Sequence, residues 1–330
     1  MGGLCLAMLL PWAASASADA GLTSLVPFPS RDTATLRIGY ATPAGTVLKL
    51  HCAIFALGSA KGDAIWEKRW SVSGGSGVAV VARPDVAPTV WDLQQPALHT
   101  VNCSVVIDDE DDVQHRGRQR PPLPLLPQPR LAARFGFRSF SATGGRFLLN
   151  DRPIFLRGNS INPPGRDLPP VSATKPFALS YLRWLKLNAH INAVRIGDGV
   201  SSSTASWYDA ADEVGMLIYA GPYSNPACPG CRAKPASSPV PHGSVDLAVD
   251  NYEKVIRGVA PHPSHVILIL SNENDISGPH GHWGYSPYAD EYASLLRNIS
   301  LRLKQYDPSR VYLADAGFGH GFGGEVMDDQ

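Results

Sequence analysis

Residues 266–273 read Val266-Ile267-Leu268-Ile269-Leu270-Ser271-Asn272-Glu273. An apolar run stops abruptly at three polar residues. Such a run marks a strand buried on both faces, as inside a parallel sheet. In parallel α/β folds the chemistry collects at the carboxyl ends of strands, so the polar triplet stands where a functional group belongs. A Glu held there in a cleft can protonate a leaving oxygen and later activate water, and an Asn beside it can hydrogen-bond a ligand hydroxyl. A plain polar loop start also fits the position.

The flanking sequence repeats the theme. Residues 154–157, 191–196, 216–219 and 311–314 read as further strands, and residues 176–187, 207–214, 245–259 and 288–306 as helices. In the first helix Phe177, Tyr181, Leu182 and Leu185 share one stripe, with Pro176 in the first turn. The last helix stops at Asp307-Pro308. Strands alternating with helices predict either a doubly wound sheet or a (β/α)8 barrel. A barrel takes about 250 residues, so an incomplete one with an exposed parallel edge is expected over residues 141–330.

Residues 21–140 carry a different pattern. Residues 35–40, 47–55, 78–81 and 99–107 are short strands separated by turn signals, which predicts a β-sandwich. Cys52 and Cys103 both fall on the inward period of their strands, and Trp66 lies between them, as in immunoglobulin-like domains where a Trp packs on an inter-sheet disulfide. A Cys52–Cys103 disulfide and two separate buried thiols both fit. Asp108 to Asp112 are all acidic, and Arg116, Arg118, Arg120, Pro121, Pro122, Pro124, Pro127 and Pro129 follow. This is a solvated, proline-rich insertion near 108–130.

The chain of 330 residues holds 29 basic and 29 acidic side chains. The missing basic excess excludes the usual nucleic-acid binder. Residues 1–20 have an apolar stretch with small-x-small steps at Ala14-Ser15-Ala16 and Ala18-Asp19-Ala20, the pattern of a signal peptide, and the stretch is too short to span a bilayer. The expected location is therefore extracellular, with no membrane span. Cys228-Pro229-Gly230-Cys231 sits in a proline-rich loop and reads as a loop-clamping disulfide; there is no second pair for zinc. Asn102 and Asn298 head N-glycosylation sequons. Gly319-His320-Gly321-Phe322-Gly323-Gly324 follows a strand but leads into no helix, so a dinucleotide site is not expected. His280, His282 and His320 read as a solvated loop, and neither metal nor cofactor is expected.

Several segments together resemble glycoside hydrolase family 2, which includes β-galactosidases, β-glucuronidases and β-mannosidases. Phe135-Gly136-Phe137-Arg138 and Phe147 to Asn159 are similar to its junction between sandwich and barrel. Leu187 to Arg195 resembles its second barrel strand, and Tyr208 to Ile218 its next helix–strand step. His262-Pro263-Ser264-His265-Val266-Ile267-Leu268 with Asn272-Glu273 resembles the strand that carries its acid/base. The resemblance covers roughly residues 35–315. It implies an immunoglobulin-like sandwich, an incomplete TIM barrel and a retaining exo-β-glycosidase hydrolysing O-glycosyl bonds, without a cofactor. It implies Glu273 as the acid/base, with Asn272 and Arg195 lining the sugar subsite. Asp198, in the run that departs from the family, and Trp283 are further candidate sugar contacts, and core packing fits Trp283 equally.

The sequence also departs from the family. Ile196-Gly197-Asp198-Gly199 stands where a Ser-His-Tyr-Pro-like run is usual, and Tyr219-Ala220-Gly221 where a Glu is common. The sugar pocket is thus rebuilt. The family's nucleophile belongs to the seventh strand and is expected beyond Gln330, as in a fragment. The competing expectation is a secreted carbohydrate-binding or adhesion protein without catalysis.

Overall fold

The computed structural model describes residues 21–42, 47–57, 63–73, 76–106, 130–162, 169–197, 204–221, 243–272, 288–314 and 326–327. Strands β1 (Gly21–Pro29), β2 (Ala34–Ala41) and β5 (Gly77–Ala82) form one antiparallel sheet in the order β1-β2-β5. Strands β3 (Val47–Ala56), β4 (Ala64–Ser73), β6 (His99–Val106) and β7 (Arg130–Phe135) form a second, ordered β4-β3-β6-β7. Alternation in β2 turns Ala34, Leu36 and Ile38 inward, where they meet Cys52, Ile54, Val101, Cys103, Phe135 and Phe137. Sandwiching these residues between the sheets removes their apolar surface from water. β1 and β4 lie at sheet edges, which is why β1 tolerates Pro27 and Pro29.

Cys52 and Cys103 are joined by a disulfide. It differs from the inter-sheet bond of immunoglobulin-like domains. The two cysteines are directly opposite one another on neighbouring strands β3 and β6 of a single sheet. Both point inward, so the bond forms within the sheet, and Trp66 of β4, paired with Ile54 of β3, packs against the core that contains it.

The remaining strands and helices follow in sequence. β8 (Phe140–Thr143), β9 (Arg146–Leu149) and β10 (Arg152–Ile154) make a small antiparallel sheet. Then come β11 (Gly158–Ile161), α1 (Lys175–Asn188), β12 (Ala193–Ile196), α2 (Ala205–Val214), β13 (Leu217–Ala220), α3 (Ser244–Val259), β14 (His265–Ile269), α4 (Ala289–Tyr306), β15 (Val311–Leu313) and β16 (Val326–Met327). β11 to β15 are parallel and neighbour one another in chain order. β16 pairs antiparallel with β15 and covers the edge that the sequence leaves open. Residues 155–157, expected as strand, run between two sheets instead. There the side chain of Asn192 accepts from the Arg157 N–H (2.8 Å) and donates to the Phe155 carbonyl (2.9 Å), replacing ladder bonds.

Among the described residues, all four α-helices lie on one face of the parallel sheet. Val194, Ile196, Ile218 and Ala220 pack against α1 and α2, and Leu268, Leu270, Tyr312 and Ala314 against α3 and α4. The opposite face meets other partners. Ala193, Leu217 and Val311, each the first residue of its strand, pack with Phe140, Ala142, Leu149 and Trp91. The small sheet thus plugs the amino-terminal end of that face, and the carboxyl ends of the strands are left for chemistry.

The sandwich grips the base of β14. Arg138 is fully buried and donates to the carbonyls of Pro263 (3.0 Å), His265 (2.9 Å) and Ser309. The Trp91 indole N–H donates to the Asp212 carbonyl (2.8 Å). A Cβ on Gly136 would stand 2.8 Å from Pro263 Cγ, so this close approach requires glycine.

Candidate active site

Arg195 sits near the end of β12. Its neighbours Val194 and Ile196 face the helices, so by strand alternation Arg195 faces the other way. Asn272 follows β14 and is buried. The Arg195 guanidinium (Nη2) donates to Asn272 Oδ1. Arginine only donates, which fixes the amide with its oxygen towards Arg195 and its NH2 turned elsewhere. Arg195 Nε and Asn272 Nδ2 are both buried and have no hydrogen-bond partner among the described residues. A buried donor left unpaired costs about 1–3 kcal/mol. Two such donors on hydrogen-bonded residues at the carboxyl ends of β12 and β14, with β13 between them, suit a ligand rich in acceptors, such as hydroxyls or a carboxylate.

Backbone contacts hold this end of the sheet. The Leu270 N–H donates to the Leu313 carbonyl (2.8 Å), which carries the ladder past the end of β14. The fully buried Tyr252 of α3 donates its hydroxyl to the Leu270 carbonyl. A Cβ on Gly221 would fall 1.8 Å from the Ile269 oxygen, so the ends of β13 and β14 meet backbone to backbone. Asn272 is therefore delivered by a rigid strand end.

The other end of β14 is equally fixed. His265 Nδ1 accepts from Arg310 Nε (3.0 Å), which leaves the proton on Nε2, facing the Ala220 carbonyl (3.2 Å). Burial, with Arg310 adding to it, holds this imidazole well below its ordinary value and neutral. Arg310 also forms an ion pair with the fully buried Asp307. Burial pushes that carboxyl up, but Arg310 and the Ser309 hydrogen bonds outweigh it and hold it below the ordinary value. Sequence reading found Asp307 only as a helix stop and did not find Arg138 or Arg310. Charged residues of this kind look like surface until their distant partners are known.

The structure brings Arg195 and Asn272 into one hydrogen bond. Glu273, Asp198, Trp283, Cys228 and Cys231 lie outside the described residues. Asn102 and Asn298 are exposed. Among the described residues, Asp209, Asp212 and His262 form a group of metal-ligand type, with donor atoms within 4.8 Å of one another. Its bonds are used internally: His262 Nδ1 pairs with Asp212 Oδ2 (2.7 Å), the Ser264 N–H donates to Asp212 Oδ1 (3.1 Å), and Arg134 donates to Asp209 (2.6 Å). The group serves as a clamp where the sandwich meets α2. No described helix is long and apolar enough to cross a membrane.

No family model matches this chain, and no curated protein matches it. Solved structures do share its fold. A β-glucuronidase of Parabacteroides merdae is 17% identical with a TM-score of 0.63, covering 89% of this chain and 34% of its own. A glycosyl hydrolase family 2 member from Bacteroides cellulosilyticus is 16% identical with a TM-score of 0.61, covering 93% of this chain and 35% of its own. A β-glucuronidase of Bacteroides uniformis is 19% identical with a TM-score of 0.59, covering 89% of this chain and 32% of its own. This chain spans about a third of the length of each. The likeness is one of fold, and it falls on the family whose motifs the sequence resembles.

Proposed function

We propose that this chain carries the acid/base portion of a secreted retaining exo-β-glycosidase of the glycoside hydrolase family 2 type. The observation that carries the reading is the Arg195–Asn272 hydrogen bond at the carboxyl end of the parallel sheet, with Glu273 the next residue in the sequence. Glu273 is the group that protonates the leaving oxygen and then activates water. Asn272 offers its NH2 to a sugar hydroxyl beside the reacting carbon. Arg195 holds that amide in one orientation, and Asp198 and Trp283 complete the sugar contacts. The second carboxylate that retention requires is not assigned to a residue here.

The placement of all four described α-helices on one face supports a (β/α) barrel over a doubly wound sheet, in which helices cover both faces. In this reading residues 21–140 are an immunoglobulin-like sandwich and residues 141–330 an incomplete barrel. The disulfide fits an oxidising compartment, and both sequon asparagines are exposed, which leaves them open to glycosylation.

The test is the Glu273→Gln variant in a completed barrel that supplies the second carboxylate, assayed on two substrate types. Alkyl β-glycosides, whose leaving groups need a proton, are expected to lose about 10²–10⁴ in rate. Aryl β-glycosides with acidic phenols keep their first step, and azide, which needs no base, speeds release of the glycosyl-enzyme. Equal slowing of both types with no azide effect removes Glu273 from this role.

A further inference from the structure

We infer that Tyr219 is a positioning residue that directs Arg195 onto Asn272, and that Gly158 is the position that gives Tyr219 the room to do so; the inference rests on the site reading above. Arg195 and Tyr219 are register partners on β12 and β13. Their neighbours Val194, Ile196, Ile218 and Ala220 all face the helices, so Arg195 and Tyr219 lie side by side on the opposite face.

The Tyr219 side chain does not point towards the carboxyl end of the sheet. A Cβ built on Gly158 would lie 3.0 Å from the Tyr219 hydroxyl oxygen and 3.8 Å from Cε1. Gly158 belongs to β11 and is the register partner of Ala193, one inward-facing layer below Arg195. The ring therefore crosses in front of β12 on the amino-terminal side of Arg195. The small side chain of Ala193 leaves it that path, and Tyr219 packs on the apolar plug below, beside Leu156 and Ile154.

An arginine side chain is long, and fixing it costs much rotamer freedom. With the ring of Tyr219 beneath it, the Arg195 side chain has the downward direction closed and the direction of Asn272 left open. The Tyr219 phenol is pushed up by burial, against a smaller opposing effect of the Arg195 charge, so at neutral pH it is uncharged and does not draw the guanidinium down. The role is that of a wall: it needs the ring, and the hydroxyl only has to fit.

The experiment titrates this chain by calorimetry with a panel of sugar 1,5-lactones and imino sugars, alongside thermal unfolding of each variant. Tyr219→Phe keeps the ring and is expected to bind the best probe within about twofold of the native chain. Tyr219→Ala frees Arg195 and is expected to lose about tenfold or more, the worth of one charge-assisted hydrogen bond. Gly158→Ala pushes on the hydroxyl and is expected to lose about threefold, with the loss relieved when Tyr219→Phe is added, since the contact it creates is then gone. A purely structural role for Tyr219 would lower thermal stability without this rescue pattern. Tyr219→Ala binding within twofold of native, or Tyr219→Phe losing as much as Tyr219→Ala, overturns the inference while leaving the sugar site standing. A native chain that binds none of the probes overturns the site reading, and this inference with it.

Discussion

The guanidinium of Arg138, on the segment leaving the sandwich, donates to the main-chain oxygen of His265 at the first residue of β14, 2.9 Å away. The same side chain holds Pro263 and Ser309, so the strand that ends at Asn272 is anchored at its base by a residue from outside the parallel sheet. Arg138→Met fills similar volume but leaves two buried carbonyls, of Pro263 and His265, and the part-buried one of Ser309 without this donor. It is expected to cost about 3 kcal/mol or more, since hydrogen bonds to charged groups contribute about 1.5–3 kcal/mol each. Arg138→Lys lacks the planar fork and recovers little. Denaturant unfolding followed by tryptophan fluorescence measures both, and a cost under about 1 kcal/mol for the Met variant contradicts the anchoring role.

His99 predicts a pH dependence. Its ring packs edge-on against Phe137 (centroids 4.9 Å apart), and its Nδ1 is buried without a partner among the described residues. Burial lowers its pKa from 6.5 to about 4. The folded state thus binds fewer protons than the unfolded one between these values. The stabilisation is complete above about pH 6.5, falls as pH drops, and is gone below about pH 4. The loss integrates to about 3 kcal/mol. His265, also held low, acts in the same direction. Between pH 7 and 4 the native chain is expected to lose about that much stability relative to His99→Phe, whose curve is flatter. Parallel curves contradict the assignment.

The Cys52–Cys103 bond closes a loop between residues 51 apart in sequence. In the chain-entropy account such a loop contributes about 4 kcal/mol of stability. Replacing both cysteines with alanine is expected to lower the unfolding midpoint accordingly, and a double variant as stable as the native chain contradicts the assignment. A reductant effect on that variant would point to a second bond.

The fold was legible where burial is two-sided or strictly periodic. The run 266–270 announces a parallel strand because no residue in it meets water, and the four helices fall within two residues of their expected bounds. β4 gave no such signal. It is an edge strand whose Glu67, Lys68 and Arg69 are exposed, so its pattern is polar. Of the candidate site, Asn272 was marked by its strand-end position and Arg195 only by the family resemblance, because 77 residues separate the two and nothing in the local pattern links them. Tyr219 did not follow, because its orientation depends on a missing Cβ two strands away. Arg138 did not either, because its acceptor Pro263 is 125 residues distant.

The most direct test of the central claim, that the end of β14 is a sugar site, is calorimetric binding of the same lactones and imino sugars to the native chain and to Asn272→Ala. The native chain is expected to bind at least one probe, and Asn272→Ala to weaken it about tenfold or more, because the unpaired amide donor is lost. Binding that is unaffected by Asn272→Ala, or no binding by a native chain shown to be folded, would contradict the account.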